Sequence, residues 1–345
     1  MKMKRLVILA AIAALLAFSC AKSYNPPTSQ LNRERFDAWM KENHPDVAKS
    51  AHGIYVLSET EGSGALVGNE ENSPYIRIEY TLRNPYTGKI SATTRETVAK
   101  QIDAYDPSYY YGPVIEYRGD NALYIGFEDI IRTMKVGGSK TAIVPGWLIN
   151  SKRYDDEEKY IEEFESTDPI LYEVSVTDTI HNLDSWERRK MKDYIETSFP
   201  GTQAVADTSF HHIIREEGSG EKYGSSGQFK INYTGRLVDG KVFDTTIESV
   251  AKDNGIWNKD KTYAPMVVTL ADKYTDVKLS ESSSSEGSST IIGFAMALKE
   301  MRPGEKCTAI FQSSLGYGSA GSGGSIPAYA PLRFDIEAIV EKKEE

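Results

Sequence analysis

Phe229, Ile231 and Tyr233 alternate with Lys230, Asn232 and Thr234, the period-two pattern of a strand with one buried and one wet face. The chain then turns at Asp239-Gly240 and comes back through Phe243 to Asp244. This predicts a hairpin that brings a phenol, an aromatic ring and a carboxylate together, with Tyr233 on the core side. Upstream, Phe36, Trp39 and Met40 stand at helical spacing within Arg33–Asn43, and Pro45 stops the run. A strand pattern follows over His52–Glu61 and ends in Glu61-Gly62-Ser63-Gly64.

The same order recurs later. A charged helical pattern over Asp184–Phe199 is stopped by Pro200-Gly201, a strand pattern covers Phe210–Arg215, and Glu217-Gly218-Ser219-Gly220 ends it. Ile76, Ile78 and Tyr80 alternate as Phe229, Ile231 and Tyr233 do. Residues 125–143 (IGFEDIIRTMKVGGSKTAI) match 292–310 (IGFAMALKEMRPGEKCTAI) at a constant offset, sharing Ile, Gly, Phe, Met, Gly, Thr, Ala and Ile. Agreement at fixed spacing over such a span points to two homologous domains.

Phe127, Ile130, Ile131 and Met134, and again Phe294, Ala297, Leu298 and Met301, fall at i, i+3, i+4, i+7, one apolar stripe of a short helix laid on a sheet. Gly137 and Gly304 read as helix stops. Strict alternation returns over Ile170–Val176 and Leu332–Val340. Strands with one covering helix read as α+β: each domain an antiparallel sheet wrapped on a single short helix, the two joined by a helical linker.

The length of 345 residues agrees with more than one domain, and 40% hydrophobic residues suffice for ordinary cores. The net charge of -10 gives no electrostatic ground for nucleic-acid binding. Residues 1–20 place Lys2, Lys4 and Arg5 before an apolar run from Leu6 to Phe18, the layout of a secretory leader. Its end, Leu16-Ala17-Phe18-Ser19-Cys20, resembles the lipobox of bacterial lipoproteins, which implies acylation at Cys20 and anchoring to a membrane. Residues 21–30 with Pro26-Pro27 then read as a tether. With Cys20 acylated, Cys307 is left without a disulfide partner, and its strand-like setting KCTAIF reads as a buried small hydrophobe.

YTGRLVDGKVFDTT, IIGFAMALKEMRPGEK, LGYG, IPA and LRFDIEAI, in this order over roughly residues 205–341, resemble the successive signature segments of FKBP-type peptidyl-prolyl cis-trans isomerases. Residues 46–178 resemble them more weakly. The layout so implied is a leader over 1–20, tether and helix over 21–45, a degenerate FKBP-like domain over 46–178, a helical linker over 179–204 and an isomerase domain over 205–345.

Isomerisation of an X-Pro bond breaks no bond; it crosses a barrier of about 18–20 kcal/mol set by amide resonance. A catalyst can bind the twisted, less polar amide better than the planar one, and a dry aromatic pocket does this. Lowering the barrier by roughly 7 kcal/mol accelerates the step about 10⁵-fold. The resemblance implies Tyr233 and Phe243 as one wall, Asp244 beside the amide carbonyl, and Phe294 as the floor under the proline ring. It further implies Ile291 as a lining residue offering its N–H, Tyr317 as a hydroxyl donor to the peptide, and Ile326 and Phe334 as the apolar side. Met266 takes the place of a customary aromatic.

Other departures are the glycine- and serine-rich turn Ser319–Ser325, Ala328 where a second proline is usual, Thr290, and two insertions, about 247–262 and 271–289. In the first copy Ser91 and Ala92 stand where Phe243 and Asp244 do, and Asn150 stands opposite Tyr317, so little isomerase activity is expected there. The acidic run 155–165 reads as a solvated helix face or loop.

Three patterns are set aside. Gly316-x-Gly318-x-x-Gly321 lacks the βαβ context of a dinucleotide fingerprint. Asn232 of the sequon Asn232-Tyr233-Thr234 lies inside a strand. His211 and His212 point to opposite faces, so no metal site and no cofactor is expected. Two functions follow: an envelope isomerase acting on X-Pro bonds of exported proteins, or a lipid-anchored, non-catalytic peptide-binding chaperone or assembly factor. The partner in both is a proline-containing or unfolded polypeptide, with membrane contact through the anchor, at the periplasm or outer membrane.

Overall fold

A computed structural model describes residues 28–164, 167–202, 208–282 and 286–340. The leader, Cys20, most of the tether and part of the serine run at 282–285 lie outside the described residues. No helix among those described is long and apolar enough to cross a membrane.

The first half opens with α1 (Thr28–Asn43) and continues through β1 (Tyr55–Thr60), β2 (Tyr75–Arg83), β3 (Ile90–Thr93), α2 (Glu96–Gln101), β4 (Val114–Tyr117), α3 (Ile125–Ile131), β5 (Ser139–Val144), α4 (Glu157–Glu163) and β6 (Ile170–Ile180). After α5 (Leu183–Ser198) the second half runs β7 (Phe210–Glu216), β8 (Gln228–Leu237), β9 (Val242–Thr245), α6 (Glu248–Asp253), β10 (Met266–Thr269), β11 (Lys278–Ser280), β12 (Ser288–Ser289), α7 (Ile292–Glu300), β13 (Lys306–Phe311) and β14 (Leu332–Ile339). The fold is α+β with two antiparallel sheets. Their orders correspond: β1-β5-β6-β2-β3 with β4 on β2, and β7-β13-β14-β8-β10-β11-β12 with β9 on β8.

Alternation along β14 buries Leu332, Phe334, Ile336 and Ala338, and this face meets the buried stripe of α7, Phe294, Ala297 and Leu298. The helix lies close because Gly293 has no side chain: a Cβ there would stand 2.4 Å from the Phe311 ring. The first half repeats the device, where a Cβ on Gly126 would meet Val144 at 2.3 Å. Met134 and Met301 are buried as the stripe predicts, but both lie past the last helical residue, and Gly137 and Gly304 sit with φ of 85° and 78° in the turns that lead into the next strands. The helices therefore stop three residues and one residue short of the methionines that the periodicity includes.

α1 begins earlier than expected from its apolar spacing, and Phe36 packs edge-on against Tyr55 and Trp147, with centroids at 5.6 and 5.4 Å. The acidic run contains α4, capped by the Asp156 side chain, which accepts from the Lys159 N–H. Its inner side buries Tyr160 and Ile161 while Glu157 and Glu158 pair with Lys49 and Arg33.

α5 fastens the halves together. The Asn182 side chain caps it by accepting from Ser185 N–H. Trp186 donates to Asp178 at the end of β6 at 2.9 Å, while buried Glu187 accepts from both the N–H and the hydroxyl of Ser313, at 2.7 and 2.6 Å. Burial, opposed in part by these bonds, holds the Glu187 carboxyl above the usual carboxylate range. Its folded form thus favours the proton, so its contribution to stability is full below the unfolded value of about 4.3 and is lost as pH rises through the raised folded value. Chemical denaturation across this window is expected to show stability falling with pH, with a slope that Glu187→Gln flattens; an unchanged slope would contradict the assignment.

Candidate active site

The hairpin β8–β9 builds one wall. β9 is clasped by two threonines: Thr245 Oγ lies 2.9 Å from Thr234 Oγ, and Thr246 Oγ accepts from Tyr233 N–H at 2.9 Å. The clasp fixes Asp244 within reach of Tyr233, whose hydroxyl donates to Asp244 Oδ2 at 2.6 Å. Asp244 Oδ1 accepts from its neighbour Thr245 N–H at 2.9 Å and pairs with Lys261. Burial first, and the Asp244 charge second, push the Tyr233 hydroxyl far up. Tyr233 therefore stays a donor across the physiological range.

Phe294, 1% exposed, is the floor. Its ring centroid lies 4.5 Å from Phe334 and 5.4 Å from Tyr233. Phe334 also meets Phe243 edge-on at 5.6 Å and stacks on Phe311 at 5.8 Å. Gly235 makes this cluster possible, for a Cβ at that position would lie 2.5 Å from the Phe243 ring.

At the rim, Tyr317 is 37% exposed, and its hydroxyl has no partner among the described residues. Burial and the Asp244 charge raise it as well. Ile291 precedes α7 in extended conformation, and its N–H likewise meets no acceptor among the described residues. Ile326 is buried with the core, and Met266 and Ile291 pack against it partly covered. The site residues named from the sequence thus gather on one face, from β8, β9, β10, β14, α7 and the turn before β14.

Several neighbours are not foreshadowed by the periodicities or motifs of the sequence. Lys261 comes from the first insertion, which folds into α6 and a loop returning over Asp244. The first half also supports the rim: Tyr110 N–H donates to Gly324 O at 2.7 Å, and Lys241 Nζ donates to Pro107 O at 2.7 Å. Most telling, Thr93-Thr94-x-Glu96-x-Val98-Ala99-Lys100 repeats as Thr245-Thr246-x-Glu248-x-Val250-Ala251-Lys252. The two stretches form equivalent turns and helices, with Thr81–Thr93 and Tyr80–Thr94 bonds of 2.9 Å matching those above. The segment at 247–253 is a shared feature of both halves, contrary to the expectation of an insertion over 247–262.

In the first half, Phe127 stacks on Tyr172 at 5.1 Å, and with Tyr80 they line a cavity of about 190 Å³. Leu82 occupies the position of Gly235, since it faces Tyr172 across the sheet as Gly235 faces Phe334. Ala92 supplies no carboxylate. Asn150, opposite Tyr317 in the alignment, is buried, donating to Trp147 O at 2.7 Å.

His212, Glu305 and Cys307 have potential ligand atoms within 4.8 Å of one another. Glu305 is already engaged, by His212 Nε2 at 2.7 Å and by Arg302 N–H at 3.1 Å, and burial pushes the Cys307 thiol far up. Cys307 is fully buried, as its setting predicted.

Residues 269–339 match the family model of FKBP-type peptidyl-prolyl cis-trans isomerases. The macrophage infectivity potentiator of Trypanosoma cruzi is 32% identical over 161 residues, 46% of this chain and 66% of that protein. A probable FKBP-type isomerase of Haemophilus influenzae is 27% identical over 126 residues, 36% of this chain and 40% of that one. The chain thus spans less than two thirds of the length of these relatives. Among solved structures, an isomerase of Pseudomonas syringae aligns with a TM-score of 0.32 at 25% identity, covering 48% of this chain and 97% of that one.

Proposed function

We propose, from the premise that the second half carries an FKBP-type peptidyl-prolyl isomerase domain, that the protein catalyses cis-trans isomerisation of X-Pro bonds in exported or envelope polypeptides. One observation carries the reading: an aromatic basin floored by Phe294 and Phe334, with the Tyr233–Asp244 hydrogen bond on its wall and two uncommitted donors, Tyr317 O–H and Ile291 N–H, on its rim. The basin accepts a proline ring and sheds the water that favours the planar amide. The two donors fit peptide carbonyls on either side of the bond, and Asp244 faces the carbonyl whose polarity falls as the amide twists. Nothing in this requires a cofactor.

The layout goes with this reading: a lipidated Cys20, a tether, a first domain over 46–178, a linker over 179–204 and the catalytic domain over 205–345. A second reading, a peptide-gripping chaperone without turnover, is favoured by the first half, which keeps its aromatics and lacks the carboxylate. The test is isomerisation of a short X-Pro peptide by the full chain, because the first half braces the rim. Tyr317→Phe is expected to slow it about tenfold, the scale of one hydrogen bond, and Asp244→Ala more. Folded protein without activity would leave only the chaperone reading, whereas activity that both variants keep would remove Tyr317 and Asp244 from the catalytic site.

A further inference from the structure

The first-half cavity is not a copy of the second. Glu116 on β4 faces Ile76 across the ladder, as Val268 faces Phe229 in the second half. Val268 is fully buried in the core, so a carboxylate stands where the duplicate has an aliphatic side chain. Glu116 joins Ile78, Tyr80, Leu82, Phe127 and Tyr172 around the cavity. Among the described residues its carboxylate has no hydrogen bond and no ion pair, although an ionised group in apolar surroundings ordinarily has one. Burial alone acts on it, holding it above the usual carboxylate range.

An unpaired carboxylate beside three aromatic rings is complementary to a positive charge. Aromatic rings attract a cation electrostatically, the carboxylate supplies a charge-assisted contact, and the aliphatic lining takes an apolar stem. At about 190 Å³ the cavity is larger than the ~150 Å³ that holds benzene in an engineered core. Tyr124, which also lines it, is 49% exposed, so the cavity borders solvent. We infer that the first half binds an organic ammonium ion on a short apolar stem, held by Glu116 and caged by Tyr80, Phe127 and Tyr172. The inference is independent of isomerase activity in the second half.

Two sources offer this chemistry, a lysine side chain of a polypeptide and a free small amine. The test is calorimetric titration of the full chain with n-butylammonium, with n-butanol as the neutral counterpart, and with two otherwise identical proline-free peptides bearing lysine or norleucine. The amine is expected to bind about tenfold or more tightly than the alcohol, and both Glu116→Gln and Glu116→Val, the residue type of the second half, are expected to lose that preference. A lysine peptide that outbinds butylammonium, with the norleucine peptide silent, assigns the site to polypeptide; butylammonium binding alone assigns it to a free amine. No binding of any cation by the folded chain, equal binding of alcohol and amine, or unaltered binding by both Glu116 variants would overturn the inference. Isomerase activity should be the same in wild type and both variants, so a failure here is separable from a failure of the isomerase reading.

Discussion

Phe334→Ala is expected to lower the stability of the second half by about 3–5 kcal/mol, the cost of emptying a buried aromatic position. The ring is 5% exposed and lies within 6.0 Å, centroid to centroid, of Tyr233, Phe243, Phe294 and Phe311. Its loss removes the side of the basin and the surface that positions three of those rings. Urea unfolding should show an earlier midpoint. Phe334→Leu, which keeps most of the volume, should retain the fold and lose isomerisation, because an aliphatic chain cannot hold Phe243 edge-on and Phe294 in place. A folded Phe334→Leu variant with wild-type turnover would remove Phe334 from the site.

Gly235→Leu is expected to cost about 3 kcal/mol, the upper end for overpacking, and to abolish turnover, since even a Cβ would enter the Phe243 ring. The first half indicates the remedy. There Leu82 occupies this register and Ser91 stands in place of Phe243, so the leucine has no ring to meet from that position. Gly235→Leu combined with Phe243→Ser should therefore recover much of the stability, measured by thermal unfolding, while remaining inactive. A double variant no more stable than the single would show that the two positions do not share one space, contrary to the expected coupling of residues in contact.

These pairs also show what could be read from the chain. The Tyr233–Asp244 hairpin was legible because alternation and an Asp-Gly turn fix which side chains meet within a dozen residues. Phe294 and Phe334 were legible through helical and strand periods. Lys261 was not, because a loop residue reaches Asp244 through a path with no period. Glu116 was hidden for another reason: alternation fixes the face on which a residue lies, and a charged residue on the inner face reads as a strand edge until its surroundings are known. The repeat from Thr93 to Lys100 lies in the chain itself, but its second copy falls inside the stretch 247–262 that departs from the family pattern, which masks the correspondence. Met134 and Met301 continue an apolar stripe that the helical backbone leaves three residues and one residue earlier.

The serine- and glycine-rich turn Ser319–Ser325 has the composition of a mobile loop, yet backbone bonds close it: Ser322 N–H donates to Ile326 O at 2.8 Å, Ile326 N–H to Ser322 O at 3.1 Å and, just outside the turn, Tyr329 N–H to Gly318 O at 2.8 Å. Tyr110 N–H, from the other half, closes on Gly324 O. In terms of deuterium uptake, the amides of Ser322 and Ile326 should label slowly and in step with that of Tyr110, since opening either side frees the other. The two halves then report on each other through exchange, and a client that pries them apart would announce itself by accelerating both stretches together.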